Sequence, residues 1–148
     1  MTHSAPTMID IPSDLLGPLT VGDDEIYSFA TGLFGFAECQ RFVLADGGRE
    51  GLFWLQSVEQ ASLAFLLVDP FHYQPGYEAD LPDADLAHIG VTAPEALLVL
   101  TIVTLAKPLE ACTVNLQAPL AFNTVTRQAR QVVLAGERYS VRAPLFLG

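Results

Sequence analysis

Basic side chains are scarce in this chain: 7 Lys and Arg stand against 17 Asp and Glu, for a formal net charge of −10 over 148 residues. Such a surface repels phosphates, so direct RNA or DNA binding is not expected. The imbalance is uneven. Residues 1–100 carry 15 acidic and 2 basic side chains, and residues 101–148 carry 2 acidic and 5 basic. An acidic surface keeps a domain soluble, and it also attracts a basic partner, including one that itself binds RNA. Cysteine is limited to Cys39 and Cys112. Met1 to Pro12 lack the basic-then-apolar pattern of a secretory signal, so the expectation is two buried thiols in a cytoplasmic protein, not a disulfide. No apolar run reaches the roughly 18 residues of a membrane helix. The longest, Ala96 to Leu105, contains two threonines and is of strand length.

Motifs of chemistry are missing as well. There is no Cys-x-x-Cys, His-Glu-x-x-His, Gly-x-Ser-x-Gly or dinucleotide-type glycine pattern. Gly32 and Gly35 are not followed by Lys-Ser/Thr, so they do not form a phosphate loop. Asp83, Asp85 and His88 suggest a metal site only weakly. Asp85 and His88 have the spacing of one helix face, Asp83 and Asp85 do not, and a third ligand is missing locally. No motif promotes an enzymatic reading, and no metal or cofactor is expected.

What is present is a core. About half the residues are apolar, enough for a single domain over 1–148, with residues 1–20 loosely ordered apart from a strand at Met8 to Ile11. Short strands are expected at Ile26 to Phe29 and Arg41 to Leu44, then Leu52 to Ser57 across the Asp46-Gly47-Gly48 hairpin signal. Thr31 to Phe36 reads as a tight turn with its own hydrophobic plug, and Ala37 to Gln40 as one helical turn. Ser62 to Val68 and Leu97 to Leu105 are apolar on both faces, as strands buried on both sides are. Trp54 reads as a core or half-core residue. Phe71 to Tyr77 is aromatic and Pro-rich, neither helix nor strand. It reads as a loop folded over the core, or alternatively as a partner surface. Asp80 to Gly90 is the best helix, with Pro82 at its first position and acids in its first turn. Arg127 to Arg130 read as a basic turn before a strand at Gln131 to Leu134, and Tyr139 to Arg142 end the fold. Strands at short intervals with one convincing helix define an antiparallel all-β domain.

The most informative stretch is Thr113 to Thr124. Val114, Leu116 and Ala118 share one face, Pro119 interrupts, and Leu120 and Phe122 resume on the same parity. With apolar strands on either side, Pro119 reads as a bend or bulge within a closed sheet. Asn115 and Asn123 read as local backbone braces, with a partner role as the alternative.

The chain resembles the flagellar assembly factor FliW family from about Gly32 to Leu145. The resemblance rests on Gly32-Leu33-Phe34-Gly35-Phe36 followed by Phe42, on Phe53-Trp54-Leu55-Gln56-Ser57, and on Leu63-Ala64-Phe65 leading to Asp69-Pro70-Phe71 and Tyr77. Thr113 to Thr124, Arg130 to Leu134 and Tyr139 to Leu145 complete it. Two positions depart: Phe34 stands where the family usually has Pro, and Ala129 where it usually has Gly. The resemblance implies a small antiparallel β-barrel-like (pseudo-barrel) domain, with one or two short helices, that binds flagellin and, when free, the RNA-binding translational regulator CsrA, relieving repression of flagellin translation. On that footing Phe71, Tyr77, Glu78, Asp80, Asp83 and Asp85 are expected on the regulator-binding face. Flagellin is expected along an exposed edge around Asn115 to Asn123. The rival expectation is a small-ligand barrel or hydrolase with a deep pocket lined by Trp54 and Tyr77.

Overall fold

Alternation of apolar residues, interrupted by Asp-Gly, Asp-Pro and Lys-Pro breaks, produces a β structure. In the computed structural model, which describes residues 5–145, the strands are β1 (Met8–Ile11), β2 (Leu19–Gly22), β3 (Tyr27–Phe29), β4 (Arg41–Asp46), β5 (Leu52–Ser57) and β6 (Ala64–Val68). After two short helices, α1 (Pro70–Tyr73) and α2 (Asp83–His88), come β7 (Leu97–Thr104), β8 (Thr113–Val114), β9 (Leu120–Asn123), β10 (Gln128–Gln131) and β11 (Ala143–Pro144). β1 and β2 form a separate hairpin. β7-β6-β5-β4-β3-β10-β9 closes into a seven-stranded barrel because β9 pairs back onto β7. All pairings are antiparallel except β3 with β10, which run parallel over Ser28 and Phe29.

Closure gives the barrel an inside and an outside, and the period-two pattern fills both. Tyr27, Phe29, Phe42, Leu55, Leu67, Leu100, Leu120 and Phe122 fill the interior. Edge-to-face contacts of Phe29 with Phe42 and Phe122 add about 1 kcal/mol each beyond area burial. A second apolar layer lies on the outer face of β5 to β8. Leu66, Val68, Val103 and Val114 pack there against Tyr77, Leu134 and Leu145, with Trp54 half-buried among them. This double coverage is why β6 and β7 are apolar on both faces. Both cysteines are buried free thiols.

Gln56 joins the N-terminal hairpin to the barrel. Its Oε1 accepts the Ser13 hydroxyl at 2.7 Å, and its Nε2 lies within 3.3 Å of the carbonyls of Ser57, Gln60, Ala61 and Leu63. At the Thr31 to Phe36 turn, Gly32 has φ +69°, and a Cβ there would meet the Ala37 Cα at 2.6 Å, so only glycine fits. Leu33 is the plug, buried in the main core.

Several local expectations shift. Leu19–Gly22 is a strand that its mixed polarity concealed, paired from Ile11↔Leu19 to Met8↔Gly22. Ala37 to Gln40 form turns, not a helix. Pro70–Tyr73 makes one helical turn, because the Asp69 carboxylate accepts the Phe71 N–H at 2.9 Å and Pro70 stands in the first turn, where no donor is missed. Pro82 is the N-cap of α2 and not its first residue. The turn before β10 spans Thr124 to Arg127 and the strand is Gln128–Gln131, a shift of three residues toward the N-terminus. Its left-handed residue is Arg127 at φ 62°.

Thr113 to Thr124 is not one strand. β8 and β9 both pair with β7, but between Val103↔Val114 and Leu100↔Leu120 the chain advances three residues on β7 and six on the opposite side. The surplus forms a bulge. Asn115 Oδ1 accepts the N–H groups of Gln117 and Ala118 at 3.2 and 3.0 Å, so the amides released from the ladder keep a partner. The stretch also has no open edge. β9 lies between β7 and β10, and β8 between β7 and β11. The expectation of an exposed edge there is corrected: barrel closure consumes it.

Candidate functional site

The segment between β6 and β7 leaves the sheet and crosses the outside of the barrel, and it carries six of the eight sequence-selected residues. Phe71 projects from α1 and is 54% exposed. Tyr77 turns inward. Its hydroxyl donates to the Leu116 carbonyl at 2.8 Å, and its ring lies 4.7 Å from Tyr139 and 5.7 Å from Phe71. Burial, followed by the neighbouring Tyr139, pushes its pKa up to about 12. The aromatic loop is thus divided: Tyr77 folds over the core while Phe71 faces outward.

The acids that follow differ in their freedom. The Glu78 N–H donates to the Tyr139 hydroxyl at 2.8 Å, and the Glu78 carboxylate meets Arg138 at 3.1 Å in an exposed ion pair. The Glu78 hydrogen bond raises the pKa of Arg138 further. Asp85 accepts from Arg130 Nε at 2.7 Å in a partly buried pair. Asp80 and Asp83 are exposed and take part in none of the ion pairs among the described residues. No group of three or more His, Cys, Asp or Glu among the described residues could hold a metal ion.

The remaining two residues lie elsewhere. Asn115 is in the bulge, one residue before the carbonyl that holds Tyr77. Asn123 is 1% exposed. Its Oδ1 accepts from Val125 and Thr126, and its Nδ2 donates to the Ile89 carbonyl at 2.8 Å. It braces the β9–β10 turn from within.

Sequence reasoning missed the wall beside Phe71. A groove of about 350 Å³ runs between Phe71 on α1, Ala79 and Leu81 on the crossing segment, and Leu97 to Val99 at the start of β7. The available signal was Asp69-Pro70, which ends β6 while β7 continues. Trp54 and Tyr77 belong to the outer layer and do not line the barrel interior, which side chains fill.

Side chains fill the barrel interior, and the segment between β6 and β7 carries acidic and aromatic side chains on the outside. No helix among the described residues is long and apolar enough to cross a membrane. The model of the FliW protein family matches residues 10–145. The chain belongs to the FliW family of flagellar assembly factors. Among its relatives, the flagellar assembly factor FliW of Symbiobacterium thermophilum is 38% identical over 127 residues, covering 84% of this chain and 92% of that protein. The Natranaerobius thermophilus protein of the same name is 38% identical over 138 residues, covering 92% and 91%. A crystal structure of the flagellar assembly factor FliW superposes with a TM-score of 0.87 at 34% identity, over 94% of this chain and 98% of the other.

Proposed function

We propose that this protein is a non-enzymatic cytoplasmic binding factor that holds flagellin and, when free of it, binds and antagonises a CsrA-type translational regulator. The observation that carries this reading is the set of exposed side chains on the segment between β6 and β7: the ring of Phe71, the carboxylates of Asp80 and Asp83, which take part in none of the ion pairs among the described residues, and Glu78 in an exposed pair with Arg138. A regulator that grips RNA is basic where it does so, and a negative face both attracts it and keeps RNA away. Tyr77 and Asp85 support the face from below. Flagellin docks near the bulge at Asn115, by surface contact and not by strand addition, with Asn123 supporting that region from inside.

The test is isothermal calorimetry with the regulator. Reversal of Asp80 and Asp83 to Lys is expected to weaken binding at least about tenfold, with an affinity that falls as salt rises in the parent protein. Unchanged affinity would move the site elsewhere. Hydrogen exchange with flagellin is expected to protect the segment around Asn115, and its absence there would remove that contact.

A further inference from the structure

β7 is paired on both sides only over part of its length. Toward β9, Leu97 to Leu100 are all in register. Toward β6, only Thr101 and Ile102 are, opposite Val68 and Leu67. The ladder with β9 continues in the hydrogen bond from the Thr124 N–H to the Ala96 carbonyl. Main-chain groups alternate sides along an antiparallel strand, so Ala96, Leu98 and Leu100 face β9. The N–H and C=O of Val99 and the C=O of Leu97 therefore face the other way, into the groove. The Leu97 N–H is already given to the Pro94 carbonyl.

The residue that would continue β6 opposite Val99 is Pro70, which has no N–H to donate, and the chain turns there into α1. The result is a half-strand of sheet edge that β6 leaves unpaired, in a groove lined also by Phe71, Ala79 and Leu81, with Val99 itself 7% exposed at its floor. The wall is also charged. Residues 50–106 contain eight acidic side chains and no Lys or Arg. Asp69 lines the groove, Asp80 follows Ala79 in sequence and lines a neighbouring cleft, and Glu95 lies two residues before Leu97; neither Asp80 nor Glu95 takes part in an ion pair among the described residues.

We propose that this groove takes a short extended segment of a protein partner, basic and with alternating apolar residues, which adds to the open edge of β7 in line with β6. Its main chain pairs with Val99 and Leu97, one set of its side chains fills the apolar groove beside Phe71 and Leu81, and its positive charges meet the acidic rim. The inference shares its face with the function proposed above but rests on the open ladder, so it stands or falls independently of flagellin and the regulator.

The probe is a synthetic seven-residue peptide alternating Lys and Val, followed by amide chemical shifts and fluorescence titration on the full chain. Shifts are expected to concentrate at Leu97 to Val99 and Phe71. N-methylation of one alternate set of peptide amides is expected to weaken binding about tenfold or more, and methylation of the other set to leave it unchanged. A Glu–Val peptide is expected not to bind, and Phe71→Glu, an exposed position that the fold tolerates, to leave the chain folded. Equal binding of both methylated peptides, shifts centred elsewhere, equal binding of the Glu–Val peptide, or no binding at about 1 mM peptide would each overturn the proposal. If the peptide binds as expected while flagellin and the regulator do not, the groove stands and the function proposed above falls. The converse result removes only strand addition.

Discussion

Arg130 Nε donates to Asp85 Oδ1 at 2.7 Å, tying the outer side of β10 to the first turn of α2 across 45 positions of sequence. Both side chains are partly buried, so the pair is less screened than an ordinary surface bridge. Arg130→Ala is expected to cost about 1 to 2 kcal/mol in urea denaturation and to loosen α2 in hydrogen exchange. The same contact separates Asp85 from its acidic neighbours. Reversing Asp85 would disturb the fold as well as any partner, so Asp80 and Asp83 are the clean probes of binding.

Tyr77→Phe removes the hydrogen bond to the Leu116 carbonyl at the bulge, for an expected loss of about 1 kcal/mol at neutral pH. The variant also tests pH dependence. Burial raises the folded-state pKa of Tyr77 from 10.0 to about 12, so the unfolded chain loses its proton first. The stabilisation from the neutral phenol is complete below pH 10 and disappears as pH rises toward 12. Denaturation midpoints in that window should fall faster for the parent than for Tyr77→Phe, by about 2 kcal/mol in total.

Ala129 lies inside the barrel at 3% exposure, paired with Phe122 on one side and Phe29 on the other. It needs no left-handed backbone, which the turn places at Arg127 instead. Ala129→Gly is therefore expected to destabilise by about 1 kcal/mol, through lost packing and added freedom in the unfolded chain. Arg127→Gly would relieve its backbone but lose the 2.8 Å bond to the Tyr27 hydroxyl and the stacking over that ring. Thermal melts should show a smaller change for Arg127→Gly than for Ala129→Gly.

Gln56→Leu would leave a cluster of carbonyls and the Ser13 hydroxyl without their shared partner. The expected cost is about 2 kcal/mol: the Ser13 hydroxyl loses its acceptor, while the carbonyls of Gln60, Ala61 and Leu63 keep the N–H groups of Leu63, Asp14 and Ser57. Hydrogen exchange should show β1 and β2 losing protection before the barrel does, because the variant loses the Ser13–Gln56 bond and keeps the bond from the Asp14 N–H to the Ala61 carbonyl at 2.9 Å.

The sequence by itself determined the elements whose reasons are local. Asp46-Gly47-Gly48 set the β4–β5 hairpin, continuous apolar runs set β6 and β7, and acids behind Pro82 set α2. It also determined the charge that gives the face its sign, and the composition that makes two buried thiols of Cys39 and Cys112. Only tertiary structure decided what depends on distant pairing. The parallel contact of β3 with β10 joins segments about 100 residues apart, and no local pattern encodes it. Closure turned the supposed edge at Asn115 to Asn123 into the interior of a sheet. It opened a different edge at Leu97 to Val99, where Pro70 cannot supply the missing donor. Asp80 and Asp85 look alike in sequence, but only one of them finds Arg130. Strand order decides which main-chain groups are left over and which charges are neutralised, and strand order is a property of the whole chain.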